Sequence, residues 1–160
     1  PAALTVTLSY GGTDATARTN AELYQQLWQT ALGVTVRIDF NESAAHLANV
    51  REGSYQIASV GWGSTYEPQF QLSRWATPTG GQSRWVNADY AALVAEGSAS
   101  MDDTERLEKY QKAEAMLITE AAIAPVYYNS TRTYAYRYVG GIPDNPFDTT
   151  GMKTFYTSDR

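Results

Sequence analysis

Cysteine is missing from these 160 residues, and histidine occurs once. The first absence excludes disulfides, thiolate nucleophiles and cysteine-ligated zinc, while leaving the compartment open. The second means that no histidine cluster can hold zinc or iron, and that any nucleophilic triad has to use His46. Basic charge is scarce as well. With 12 Lys and Arg against 17 Asp and Glu, the chain carries a net charge of -5. It has no run of basic residues to neutralise a phosphate backbone, so no nucleic-acid partner is expected. No apolar stretch is long enough for a membrane span. Pro1-Ala2-Ala3-Leu4-Thr5-Val6 lacks the basic start and long apolar middle of a signal peptide. Either the protein is cytosolic or a targeting segment lies outside this chain.

What is present describes a folded protein. A 43% hydrophobic and 18% charged composition is ordinary for a globular chain, and the length argues for a single domain over residues 1–160. Twelve tyrosines are an excess that often accompanies binding surfaces.

Leu4, Val6 and Leu8 alternate with Thr5, Thr7 and Ser9, the pattern of a half-buried strand that Gly11-Gly12 ends. Thr13 or Asp14 caps a helix that places Leu23, Tyr24, Leu27, Trp28, Ala31 and Leu32 on one face, with Gly33 at the left-handed cap position. Val34, Val36, Ile38 and Phe40 alternate next, so strand, helix and strand form a βαβ crossover. Asn41 or Ser43 opens a shorter helix with Leu47 and Val50 inward, and Gly53 closes it.

A third strand, Tyr55 to Val60, runs into Ser59-Val60-Gly61-Trp62-Gly63-Ser64-Thr65-Tyr66-Glu67-Pro68. Here an apolar run breaks into two glycines around a tryptophan. Gly61 and Gly63 permit positive φ and close approach of a ligand, and Trp62 offers a flat surface with one N–H donor. The plainer alternative is a turn whose Trp plugs the core. Ligands of open α/β sheets tend to sit at the carboxyl ends of strands, which favours a binding loop.

Pro68 to Val86 reads as irregular, with Phe70, Leu72 and Trp75 compatible with a short helix. Asn87 caps a helix carrying Tyr90, Leu93 and Val94, and Asp102 with Glu105 has the form of a capping box for a helix that holds Leu107, Tyr110, Ala113 and Leu117 on one face. Ile123 to Tyr128 reads as a strand, with Pro125 pointing to an edge or a strand start. After a turn near Asn129-Ser130, Tyr134, Tyr136 and Tyr138 alternate on one face, and such a tyrosine row from Tyr127 to Tyr138 is more often a sheet face packed under a helix than a ligand platform.

Catalytic signatures are missing. His46 sits in a helix with no nucleophile elbow and reads as a surface or boundary residue. Asp102-Asp103-Thr104-Glu105 lacks the central glycine of a calcium loop and suits a helix start instead. Gly11-Gly12 and Gly80-Gly81 lack the lysine and spacing of a phosphate loop. No cofactor is expected.

Four stretches carry a family resemblance: Leu4 to Tyr10; LWQTALGVTVRIDF from Leu27 to Phe40; GSYQIASVGWGSTYEP from Gly53 to Pro68; and Trp85 to Ile142, with NADYAALV, YQKAEAMLITEAAIAPVYY and YVGGI inside it. In order and spacing they resemble the carboxyl-terminal part of the extracytoplasmic oligopeptide-binding proteins, the family 5 solute receptors of ABC transporters. The resemblance implies an α/β fold, a periplasmic-binding-protein-like (type II) lobe with a mixed β-sheet flanked by helices. This chain would be most of the second lobe of a two-lobe protein. It also implies secretion, a lipid anchor outside this chain, a membrane permease as partner, and a missing first lobe. In such receptors the strand ending in Gly-Trp pairs its backbone with a bound peptide. Carried over, the ligand-binding residues are Ser59, Val60, Gly61, Trp62 and Gly63. Peptide binders commonly place an aspartate soon after that Trp to hold the ligand's amino terminus. Here Ser64 and Thr65 stand in its place, and the nearest acid is Glu67. The family extends to receptors for dipeptides, haem, nickel chelates and sugars. Two other readings compete: a sensory or regulatory domain reusing the lobe, and a hydrolase with a carboxylate pair.

Overall fold

The computed structural model describes residues 4–63, 65–77, 81–128, 130, 132, 134–143 and 152–158. Its first half is a three-stranded parallel sheet in the order β2-β1-β3, built from β1 (Thr5–Gly11), β2 (Thr35–Asn41) and β3 (Ile57–Ser59). Leu8 pairs with Ile38 on one side and Ile57 on the other, so β1 is the central strand. Its adjacent residues Leu8 and Ser9 are both buried, as both faces of a parallel sheet are covered. Helix α1 (Ala15–Leu32) covers the Leu8 face and α2 (Ser43–Glu52) covers the Ser9 face.

The termini of α1 form as the sequence implies. Asp14 accepts hydrogen bonds from the backbone N–H groups of Thr16 (2.8 Å) and Ala17 (3.0 Å), and these donors hold its carboxyl below the usual aspartate range. Gly33 and Gly53 close α1 and α2 in the left-handed conformation. The inward face of α1 differs from the expected one. Ala17 and Ala21 are buried against the sheet and Tyr24 meets Tyr10 at 6.3 Å, whereas Leu23, Leu27 and Leu32 are exposed. Two glutamines account for the roll of the helix. Gln25 donates to the Val36 carbonyl (2.7 Å) and Gln29 accepts from the Val36 N–H (3.2 Å), which ties this stripe of α1 to the outer edge of β2. In α2, likewise, Val50 is buried while Leu47 is 41% exposed.

The segment expected to be irregular contains a one-turn helix, α3 (Pro68–Leu72), that starts on a proline, and a 3-10 turn at Gly81–Ser83. Helices α4 (Ala88–Ala99) and α5 (Asp103–Thr119) pack against each other and α3, enclosing Leu72, Trp75, Tyr90, Val94, Tyr110, Ala113 and Leu117. Leu107, expected inward, is 46% exposed. Asn87 caps α4 through bonds to Asp89 and Tyr90. At α5 only half of the capping box forms: Asp102 accepts from the Glu105 N–H, but the Glu105 carboxylate accepts from Ser100 Oγ (2.8 Å) instead of reaching back to the cap.

Ile123–Tyr128 does not form the expected strand, since no described segment supplies a ladder partner. Tyr134, Tyr136 and Tyr138 are not a packed sheet face either. Tyr134 and Tyr136 are exposed, and Tyr136 and Tyr138 stack with centroids 5.3 Å apart. Asn129, of the expected turn, and Pro78-Thr79-Gly80 lie outside the described residues. Among the described residues antiparallel pairing is confined to β4 (Val139–Gly140) with β5 (Tyr156–Thr157), so both ladder types occur, in separate sheets.

Candidate functional site

Strand β3 delivers the glycine-flanked tryptophan from the sheet's edge, because its only partner among the described residues is β1. Neither Gly61 nor Gly63 takes a positive φ, contrary to the expectation of left-handed backbone there. The close-approach half of that expectation stands: a Cβ built on either glycine meets no heavy atom within 4 Å. Smallness here leaves open space in front of the main chain and fills no packing need.

Trp62 does not plug the core. It is 43% exposed, and the guanidinium of Arg74 lies 4.2 Å from its ring centroid. The same guanidinium sits 5.1 Å from the Phe70 ring and donates from Nε to Gln71 Oε1 at 2.9 Å. Gln71 in turn donates to the Gly63 carbonyl at 2.6 Å. Thus the first turn after β3 is held from α3 by a chain of contacts through Gln71, Arg74 and Trp62. Sequence reasoning missed Arg74 and Gln71. The available signal was the i, i+4 spacing of Phe70 and Arg74, which puts a cation beside an aromatic on one helical face.

The remaining loop residues separate. Thr65 donates from Oγ1 to the Glu67 carbonyl at 3.1 Å, so its hydroxyl serves the turn. Glu67 faces α5, with its carboxylate 3.8 Å from Arg106, whose closer partner is Asp103 at 2.8 Å. Ser64 lies outside the described residues.

Two recesses flank the end of β3. One, of about 340 Å³, is lined by Trp62, Trp75, Arg51, Arg74, Thr77, Gly81 and Gln82; the other, of about 220 Å³, by Gly11, Ser43, His46, Leu47, Ser59, Val60 and Gly61. The structure therefore puts Trp62 on one recess and Ser59, Val60 and Gly61 on the other.

His46 is not a surface residue. At 4% exposure it bridges the two strands that carry the site, with Nδ1 3.1 Å from Ser9 Oγ and Nε2 2.9 Å from the Ser59 carbonyl oxygen. The ring packs so closely on β1 that a Cβ at Gly11 would fall 2.7 Å from its Cδ2. The Ser59 carbonyl can only accept, so Nε2 donates to it, and Nδ1 shares a bond with the Ser9 hydroxyl, which can either donate or accept. No group of His, Asp or Glu suited to a metal ion occurs among the described residues.

The geometry thus describes a strand end that opens into exposed backbone beside a braced aromatic. The oligopeptide-binding protein OppA of Bacillus subtilis is 32% identical over 126 residues, and the periplasmic oligopeptide-binding protein OppA of Salmonella typhimurium is 30% identical over 133. The matches take in 77% and 81% of this chain but 23% and 24% of those proteins. The solved structure of the Escherichia coli murein tripeptide-binding protein MppA superposes on 98% of this chain with a TM-score of 0.81 at 27% identity, using 31% of that protein. The chain belongs to the family 5 solute-binding proteins. No protein-family model matches it. It spans about a quarter of the length of these family 5 relatives. They are solute-binding proteins and not enzymes, and they belong to the peptide-binding proteins of ABC transporters. The Salmonella relative is periplasmic, and no helix among the described residues here is long and apolar enough to cross a membrane.

Proposed function

We propose that this chain forms most of the second lobe of an extracytoplasmic receptor that captures peptides for an ABC permease. The single observation that carries the reading is the open backbone at Gly61 and Gly63 on either side of half-exposed Trp62. An extended peptide needs unobstructed main chain at a free strand end and an apolar surface for a side chain, and Ser59 to Gly63 combine the two. The opposite wall belongs to the first lobe, outside this chain. The receptor works outside the cytoplasmic membrane, at the cell surface or in the periplasm, with a lipid anchor in the full-length protein.

Ser64 and Thr65 stand where peptide binders commonly carry an aspartate, so the ligand's ammonium falls to Glu67. Arg106 at 3.8 Å is too distant for a hydrogen bond and leaves the carboxylate able to accept one from a ligand. The test uses the full-length receptor and titration calorimetry. Gly61→Val should abolish peptide binding while leaving the unfolding midpoint unchanged, because the added side chain enters open space. Undiminished binding by that variant would overturn the wall assignment. Glu67→Gln should weaken binding of free peptides by about 1.5–3 kcal/mol, and of N-acetylated peptides not at all.

A further inference from the structure

The stretch from Ser59 to Gly63 hangs between two fixed points. Strand β3 is three residues long and pairs with β1 through Ile57, Ala58 and Ser59. Beyond it, among the described residues, no hydrogen bond holds the main chain of Val60, Gly61 or Trp62. Gln71 secures the far end at the Gly63 carbonyl, and His46 secures the near end at the Ser59 carbonyl. The ring is itself fixed: Ser9 holds Nδ1 from β1, and Gly11 of the same strand lies so close that a side chain there would collide with it. An aliphatic residue would cover this sheet face without the cost of burying an imidazole, so what the ring adds is a directed bond. The Ser59 carbonyl and the Val60 N–H belong to one planar trans peptide unit, which turns rigidly. Fixing the carbonyl on His46 therefore fixes the N–H of Val60 in the opposite direction.

We propose that His46 is a positioning residue for the ligand. By holding the Ser59 carbonyl it presents the Val60 N–H as a donor to a carbonyl of an extended peptide, without touching the ligand itself. The inference rests on the peptide-receptor reading above and deepens it: the first main-chain donor of the wall is aimed by a buried side chain of α2.

Calorimetry on the full-length receptor, with tri-alanine as the probe, tests this role. His46→Leu removes the donor and should weaken binding about tenfold, the scale of one main-chain hydrogen bond. His46→Gln, whose amide nitrogen can reach the same carbonyl, should restore binding to within about threefold of wild type. Gly11→Ala should show part of the loss with the histidine intact, because its Cβ would fall 2.7 Å from Cδ2 and push the ring off Ser59. Tri-alanine with a thioamide at one or the other peptide bond offers a weaker acceptor. The form that is penalised on the wild type should suffer no penalty on His46→Leu, an outcome that lost stability alone does not produce. In this chain His46 is the sole histidine, so its ring gives unambiguous nitrogen NMR signals, and in alkaline solution the proton should sit on Nε2. Wild-type affinity in His46→Leu or Gly11→Ala, no recovery in His46→Gln, a thioamide penalty that is absent from the wild type or survives in His46→Leu, or a neutral ring protonated on Nδ1 would each overturn the positioning role and leave the peptide reading standing. Absence of tri-alanine binding by the wild type would overturn both.

Discussion

The sheet half and the helical half of this chain build their interiors from different materials. Around β1 the buried residues are small or aliphatic: Leu8, Ala17, Ala21, Val36 and Val50, with His46 and Ser9 supplying a polar contact within the layer. Between α3, α4 and α5 the interior is aromatic, with Trp75, Tyr90 and Tyr110 at its centre. Tyr90 is fully buried and meets Trp85 edge to face at 5.0 Å while donating to the Leu72 carbonyl at 2.7 Å. Large rings bury more area per residue, so the helical half can brace α3 and, through it, the Trp62 loop. The sheet half leaves the leucines of α1 uncovered and supplies the exposed strand end instead. The ligand wall is therefore made where a thinly packed edge meets a densely packed support.

That contrast predicts a graded response to substitution. Tyr90→Ala should have the largest effect, about 3–5 kcal/mol of lost stability in denaturant unfolding, as for other large aromatic deletions in cores. A loss below about 1 kcal/mol would show that the helical interior is not the support assigned to it.

A smaller effect is expected at the cap of α1. The backbone donors that lower the Asp14 pKa from its ordinary 3.8 favour the charged form in the folded state. Its contribution is present above that ordinary value and disappears as the pH falls through the lower folded value. Glu105 acts in the same direction at the start of α5, through Ser100 first and Lys109 second. Unfolding midpoints should therefore fall on acidification below about pH 4. Asp14→Ala should lower the midpoint at neutral pH and flatten this acid decline, and an unchanged slope would show that the cap does not titrate with folding.

The smallest effect belongs to α1's outer face. Leu27 is 52% exposed, so Leu27→Ser should change stability by no more than about 0.5 kcal/mol, measured on this chain. A cost above about 2 kcal/mol would mean that the leucine stripe is covered in solution and would reverse the comparison between the halves.

Much of the fold was legible because its signals are local. Alternation in Thr5–Gly11 and Thr35–Asn41, the caps Asp14, Asn87 and Asp102, and the closing glycines Gly33 and Gly53 each act within a few residues. The glycine-flanked Trp62 was legible for the same reason. Its guanidinium partner was not, because stacking on Trp62 depends on α3 folding back after Pro68.

By itself the sequence determined the strand-helix-strand order, the helix ends, and the break at Gly61-Trp62-Gly63, since backbone freedom and periodicity are properties of short stretches. Only the tertiary structure decided which apolar residues lie inside. Leu23 and Leu27 match the helical period as well as Ala17 and Ala21 do, but Gln25 and Gln29 bind the edge of β2 and roll the helix away from its leucines. His46 is buried because Ser9 and Ser59, 37 and 13 residues away along the chain, converge on its two nitrogens. Tyr134 and Tyr136 alternate like strand residues, yet strand pairing requires a partner, and the described pairing with the chain's end begins only at the Tyr138 carbonyl and β4.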